Sequence, residues 1–285
     1  PYVPSIVMAA DALAAFGSAE QIDLARHAAA GETILTAAVE EALTPDRFAP
    51  STTSAPDPER SGAWVLTGSK TAVPYAPESS AILVSATAPD GVGVFVVPTS
   101  DVSVTRQEGT DHRSIGLVEL NGVRVDPSAR LGGDGSGAEV LRHIIDRGTV
   151  GVCAEQFGVL ERSLEMTSAY AREREQFDRP IGSFQAVAQR LADAFIDVKA
   201  ARLTQEQAAW RLSEGLDADD AVRIAKFWAA DAGHRVAHTT IHVHGGVGLD
   251  RDHPAHRYFL AAKHNEFWLG SATEQLAGIG AALAR

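Results

Sequence analysis

Between Ala169 and Asp193 the chain reads AYAREREQFDRPIGSFQAVAQRLAD. Arg172, Arg174, Gln176, Arg179, Ser183 and Gln185 crowd one short turn between two helical patterns, with Phe177 and Phe184 among them. Guanidinium groups are forked donors that match phosphate oxygens, and a helix start adds free N–H groups and positive potential. The chemistry expected of the turn is the grip of a phosphate-bearing, aromatic cofactor. A solvated, salt-bridged turn would explain the charges, but not two phenylalanines between two amphipathic helices.

A second constellation follows. His242-Val243-His244-Gly245-Gly246-Val247-Gly248 places glycines where backbone must turn or come close to another group. Taken alone it reads as a helix C-cap and turn. His234, His238 and His242 stand four apart on one helix face, a spacing that two zinc ligands can use, with His244, His253 or Asp231 as a possible addition. No Glu follows His238 in the H-E-x-x-H sense, so hydrogen-bonding histidines are the plainer reading.

The elements that must position these residues come in blocks. Residues 1–30 are Ala-rich and helical in pattern, with Ser18 as N-cap of a helix from Ala19, Gln21 offering a capping box and Gly31 ending it. From Thr33 to Leu131 short runs rich in Val, Ile, Leu and Thr alternate with Gly, Pro, Asp and Ser. Strands are expected over Thr33–Val39, Ala63–Ala72, Ala81–Ala86, Gly93–Val97, Val102–Gln107 and Ser114–Val125, with Pro50–Gly62 a polar loop. Strands without intervening helices imply an antiparallel sheet or barrel. The Gly-rich run 132–137 reads as a linker and helix entry. Helical periodicity then covers Ala138–Glu173, Gln185–Glu214, Ala218–Val243 and two segments from Ala255 to Ala284, with Gly148 as a potential bend. The expected fold class is α+β: a helical segment (1–32), a β-barrel-like domain (33–135) and a C-terminal four-helix bundle (136–285).

The chain has 285 residues, 45% hydrophobic and 22% charged, with a net charge of −12. That acidity disfavours a nucleic-acid binder. Cys153 is the only cysteine, which excludes an internal disulfide and a multi-thiolate zinc site. No apolar run is long enough for a membrane helix and no secretion signal is visible, so a cytoplasmic location is the default expectation. The chain starts at Pro1 rather than Met, and its natural start is expected to lie further upstream.

These motifs resemble those of the acyl-CoA dehydrogenases, the flavoproteins that oxidise the α,β bond of acyl thioesters. Arg172–Gln185 is similar to the family's R-x-x-F-G-x-P-[IL]-x-x-F-Q turn, with Asp178 in the usual Gly place. His242–Gly248 is similar to its G-G-x-G loop, and His253–Arg257 with Ala262-Lys263 to the helix that leads to its catalytic loop. The resemblance implies a helix, β domain, helical bundle order and an FAD cofactor. It implies that Arg174, Gln176, Phe177 and Gln185 hold the pyrophosphate and adenosine across a subunit interface. His242, His244, Gly245 and Gly246 are implied to serve the same cofactor half.

The departures from the family pattern carry as much information. The family's base is a Glu followed by Gly, and that place is Leu269-Gly270 here. The family's second location for the base falls on Gly148. Glu266 and Asp146 are the nearby substitutes, though each is also readable as a solvated acid or, for Asp146, as the partner of Arg147. Glu155 is read as a packing residue. The T-E-P-x-x-G-S-D segment that serves the flavin ring is replaced by Ala38–Asp46. The W-x-T that stacks on the ring is replaced by Thr71-Ala72-Val73-Pro74, where Ala72 cannot stack and Pro74 has no N–H.

The chain therefore resembles the Glu-lacking subunit of the α2β2 acyl-CoA dehydrogenases of bacterial steroid (cholesterol) side-chain breakdown. The resemblance implies a homologous Glu-bearing partner, an FAD shared with it, an acyl-CoA substrate and an electron-transfer flavoprotein or similar acceptor. Phe227, Trp228, Phe267 and Trp268 are candidates for subunit contacts or for ordinary core. The other readings are a homo-oligomeric dehydrogenase with a displaced base, a non-catalytic scaffold subunit, or a His-based metalloprotein.

Overall fold

The computed structural model describes residues 1–42, 44 and 46–284. It divides into two compact units, residues 1–148 and 149–285. The first opens with a π-helical stretch, Tyr2–Ala10, running into α1 (Asp11–Phe16). Ser18 then caps α2 (Ala19–Ala29), and the capping box with Gln21 is complete in both directions.

Seven strands follow: β1 (Leu35–Ala38), β2 (Thr53–Pro56), β3 (Trp64–Pro74), β4 (Ala81–Ala88), β5 (Gly91–Pro98), β6 (Ser103–Glu108) and β7 (Ser114–Val125). They form one sheet in the order β1-β4-β2-β3-β7-β6, with β5 also paired to β4. The hairpin partners β4–β5 and β6–β7 are antiparallel, as the short turns between them require. Two features differ from expectation. β1 runs parallel to β4, and the segment taken as a polar loop contains β2, which pairs antiparallel with β3. β2 is invisible to pattern because it alternates nothing: its residues are Thr, Ser, Ala and Pro. Inward-facing Leu66, Ile82, Val84, Phe95, Val97, Val118 and Leu120 make the core of this sheet.

A fully buried ion pair is the polar centre of the β domain. Lys70 Nζ on β3 donates to Glu41 Oε1 at 2.6 Å and to Ser85 Oγ at 2.9 Å. Glu41 also accepts from the backbone N–H and hydroxyl of Ser51 and the N–H of Thr52, which ties the segment after β1 to the start of β2. Burial alone would raise the Glu41 carboxyl. The hydrogen bonds from Lys70, Ser51 and Thr52 overcome it and hold the group far below the usual carboxylate range.

The long helix α3 (Gly137–Glu173) is continuous through Gly148, where a bend was expected to be possible. Packing explains that glycine: a Cβ there would stand 2.8 Å from Met8 Cγ and Sδ. The hairpin β8 (Glu175–Gln176) and β9 (Arg179–Pro180) leads to α4 (Gln185–Ser213), α5 (Asp219–His244), α6 (Ala255–Phe267) and α7 (Ala272–Leu283). Leu160 of α3, Ala194, Val198 and Ala201 of α4, Ala232, Val236 and Ala237 of α5, and Ala262 of α6 share one core, so four helices close around it. Ser271 caps α7 through a second complete capping box.

Candidate functional site

The Arg-rich turn is a two-residue hairpin. Glu175 pairs with Pro180 and Gln176 with Arg179, leaving Phe177 and Asp178 at the tip. Both adopt left-handed backbone, with φ of 54° and 62°. Such a turn suits Asn-Gly, and each L-residue placed there costs about 1–2 kcal/mol. The strain displays Phe177, which is 87% exposed. Its ring meets Phe184 edge-on at 6.1 Å, and the Arg179 guanidinium lies 4.1 Å from the centre of the Phe184 ring. The turn is closed by Ile181 N–H donating to the Arg174 carbonyl and by Ser183 Oγ donating to the Pro180 carbonyl.

Arg172, Arg174 and Gln185 are exposed, and their side chains have no ion pair or hydrogen bond among the described residues. Gln176 folds back so that its Nε2 donates to the Glu175 carbonyl at 2.8 Å. Phe184 is the N-cap of α4 and offers no side-chain acceptor, so the first turn of that helix keeps its donors and positive end potential.

The glycine loop begins where α5 ends. Gly245 is the C-cap, with φ 64° and ψ −141°, a conformation open essentially to glycine alone. A Cβ on Gly245 or Gly246 would meet nothing within 4 Å. The conformation requires Gly245, and the space beside the loop at both glycines is open. Gly248 is the crowded one, 3.0 Å from His244 Cβ by the same measure.

Two residues join the motifs. The Tyr170 ring, in the last turns of α3, stacks on His244 with centroids 4.5 Å apart and planes inclined by 21°. His244 is buried, and its Nδ1 is 2.8 Å from the Thr240 carbonyl, an acceptor, so Nδ1 carries the proton. Nε2 is then a lone-pair acceptor, buried and without a partner among the described residues. Burial lowers the imidazole pKa; the Thr240 bond works against this and the neighbouring His253 ring adds to it. The ring is thus held neutral in one tautomer. Tyr170 and Thr240 were not singled out by sequence; Thr240 carried a usable signal, four residues before His244 on one helix.

His242 is exposed beside this stack. His234 and His238 lie away from it with ring centroids 4.4 Å apart, and Lys263 Nζ approaches His234 Nδ1 at 3.1 Å. An ammonium there opposes a metal ion, and no group of three or more His, Cys, Asp or Glu is arranged to hold one among the described residues.

Leu269 follows α6, is 2% exposed, and adopts left-handed backbone with φ 60°, before Gly270 at φ 110°. Behind it, fully buried Lys226 donates to the carbonyls of Asn265 at 2.6 Å and Glu266 at 3.3 Å, which fixes the end of α6. The two substitute acids are both engaged. Glu266 accepts from Lys263 Nζ at 2.5 Å. Asp146 has interactions of its own, and Arg147 reaches Asp11 at 3.7 Å. Of the four aromatic contact candidates Phe267 is exposed, while Phe227, Trp228 and Trp268 are half-buried.

In the β domain the bulge after Lys70 places Ala72 in left-handed backbone with φ 51°. Its N–H donates to Gln107 Oε1 at 2.9 Å, and Gln107 Nε2 donates to Thr71 Oγ1 at 3.2 Å. The donors that a bulge frees are thus consumed inside the domain. In the Ala38–Asp46 segment, the expectations on Leu43 and Pro45 lie outside the described residues.

Residues 135–284 match the family described as acyl-CoA dehydrogenase, C-terminal domain. The chain is 50% identical to acyl-CoA dehydrogenase FadE27 of Mycobacterium tuberculosis, covering all of this chain and 76% of that protein. The structure matches a chain of the ChsE4-ChsE5 complex of M. tuberculosis with a TM-score of 0.93 and 51% identity, over 100% of this chain and 76% of that one. It matches the Tcur3481-Tcur3483 steroid ACAD (G363A variant) with a TM-score of 0.92 and 39% identity, again over 100% and 76%. No described helix is long and apolar enough to cross a membrane. The sheet domain, the helical bundle and these matches agree: the chain belongs to the acyl-CoA dehydrogenase family, whose members are FAD-dependent oxidoreductases.

Proposed function

We propose that this chain is the subunit of a heteromeric acyl-CoA dehydrogenase that lacks the proton-abstracting carboxylate. Its C-terminal unit holds the pyrophosphate and adenosine half of an FAD whose ring is served by a homologous, Glu-bearing partner. The Tyr170–His244 stack carries this reading, because it brings the Arg-rich turn and the glycine loop onto one face of one unit. The residues fit that half of the cofactor. Arg174 and Arg172 are cations without a side-chain partner among the described residues, near a helix start with no side-chain cap, suited to phosphate. His244 Nε2 is an orphaned acceptor suited to a hydroxyl or amino donor, and the backbone at Gly245 and Gly246 has open space beside it.

The ring half does not fit in the same way. The bulge N–H of Ala72 is taken by Gln107 Oε1 and that of Thr71 by the Glu40 carbonyl, and Leu269, which the family resemblance puts at the base position, is buried. When bound, FAD would supply the hydride acceptor for the oxidation; this chain's own part is to bind and orient the cofactor tail and so to complete the partner's FAD site. The steroid ACAD among the matched structures supports a steroid side-chain acyl-CoA as substrate. An electron-transfer flavoprotein or a similar carrier is the proposed acceptor.

Native mass spectrometry of the complex co-purified from its own cell tests the reading. The expected result is a related, Glu-bearing partner with fewer flavins than subunits, and a nearly colourless chain when purified alone. A chain that binds a full complement of FAD by itself overturns it.

A further inference from the structure

One atom on the surface of the bundle is asked to do two incompatible things. His234 Nδ1 lies 3.1 Å from Lys263 Nζ and 3.3 Å from Glu266 Oε1. An ammonium only donates, so the first contact needs a bare Nδ1 lone pair. A carboxylate only accepts, so the second needs Nδ1–H. We propose that His234, Lys263 and Glu266 form a proton-operated latch between α5 and α6: neutral His234 accepts from Lys263 through Nδ1, and protonated His234 donates through the same atom to Glu266.

The charges around the latch make it directional. Lys263 and Glu266 are joined at 2.5 Å and cancel, so the trio passes from zero to plus one when His234 takes its proton. His238 on the next turn of α5 stacks on His234 at 4.4 Å and meets Phe259 of α6 edge-on at 5.4 Å. Although His238 is exposed, its pKa is lowered, first by partial desolvation, then by His234 and Lys263, with Glu266 opposing them. The second proton is therefore resisted once the first is bound. Facing the two histidines is a cleft of about 450 Å³ lined also by Arg190, Asp193 and Asp197 of α4 and by Arg235 of α5. Arg235 is clamped by Asp197 at 2.7 and 2.8 Å and pairs with Asp231, so the arginines and aspartates of the cleft balance. The latch is what changes the charge of this face: neutral when His234 is unprotonated, positive when it carries its second proton. Lys226, which holds the Glu266 carbonyl from behind, fixes the backbone against which the swap occurs.

Histidine-selective 15N NMR of the full chain between pH 5 and 8 tests this. The expected neutral form of His234 has Nδ1 bare and Nε2 protonated. Glu266→Gln should weaken proton binding at His234 by roughly threefold or more, Lys263→Gln should strengthen it by a similar factor, and His234→Gln should strengthen proton binding at His238. Neutral His234 with its proton on Nδ1, or midpoints that these substitutions leave in place, overturns the latch. All three side chains lie at the surface or half-buried, so the variants are expected to fold, and agreement of their other histidine signals with the parent checks it.

Discussion

Tyr170 lies against His244 at 4.5 Å, so the end of α3 and the end of α5 meet ring to ring although 74 positions separate them (244 minus 170). The contact does two jobs. It sets the distance between the Arg-rich hairpin and the glycine loop, and it buries an imidazole whose Nδ1 is spoken for by Thr240. Removing the Tyr170 ring with Tyr170→Ala should loosen both motifs at once. The expected outcome is at least a tenfold loss of flavin affinity in the co-purified complex, measured by fluorescence of released FAD, with subunit ratio unchanged. Retention of full flavin would detach the stack from cofactor binding.

The Arg174 side chain has no ion pair or hydrogen bond among the described residues, so its removal should cost the isolated protein almost nothing. Arg174→Ala is expected to leave the unfolding midpoint within about 0.5 kcal/mol of the parent while lowering the FAD content of the complex. A scaffold-only subunit would show no change in FAD.

Asp178 occupies left-handed backbone at φ 62°. Asp178→Gly should relieve that strain and stabilise the chain by about 0.5–1 kcal/mol in urea titration. A loss of stability would mean that the Asp side chain supports the tip.

The buried pair Lys70–Glu41 predicts a non-additive cycle. Lys70→Met leaves a buried carboxylate and should destabilise by about 3–5 kcal/mol, whereas Lys70→Met with Glu41→Gln should cost clearly less. Additive costs would show that the two charges are not coupled.

Histidine burial sets a pH dependence. His244 and His238 both have lowered pKa values, burial being the first cause in each. A histidine with a depressed folded pKa takes protons more readily in the unfolded chain. Stability from this source is complete above the unfolded value of about 6.5 and is lost progressively as pH falls below it. Denaturant midpoints measured from pH 7.5 to 5 should decline, and His244→Phe, which keeps the stack, should flatten the decline.

Local signals were legible to different depths. Ser18 with Gln21 marks a helix start because a cap is made by residues three apart, and the structure completes both of its bonds. The glycine loop and the Arg-rich turn were legible as motifs for the same reason. What joins them was not: the Tyr170–His244 contact is made by tertiary packing, and no spacing rule encodes it. Lys70 is the sharper case. A lysine in a strand reads as solvent-facing, but this one is fully buried because Glu41, 29 positions earlier, comes to meet it. β2 was illegible because its pairing with β3 is made by backbone, while its side chains show no alternation of apolar and polar residues.

Met8 pressed against Gly148 has a consequence for descent as well as for packing. A side chain at position 148 would have to displace the Met8 thioether, which lies 2.8 Å from where its Cβ would stand. A larger residue there asks the first helical segment to move its methionine in the same step. Position 148 and its neighbour are thus bound to change together: each later adjustment that tightens this seam makes replacement of the glycine harder.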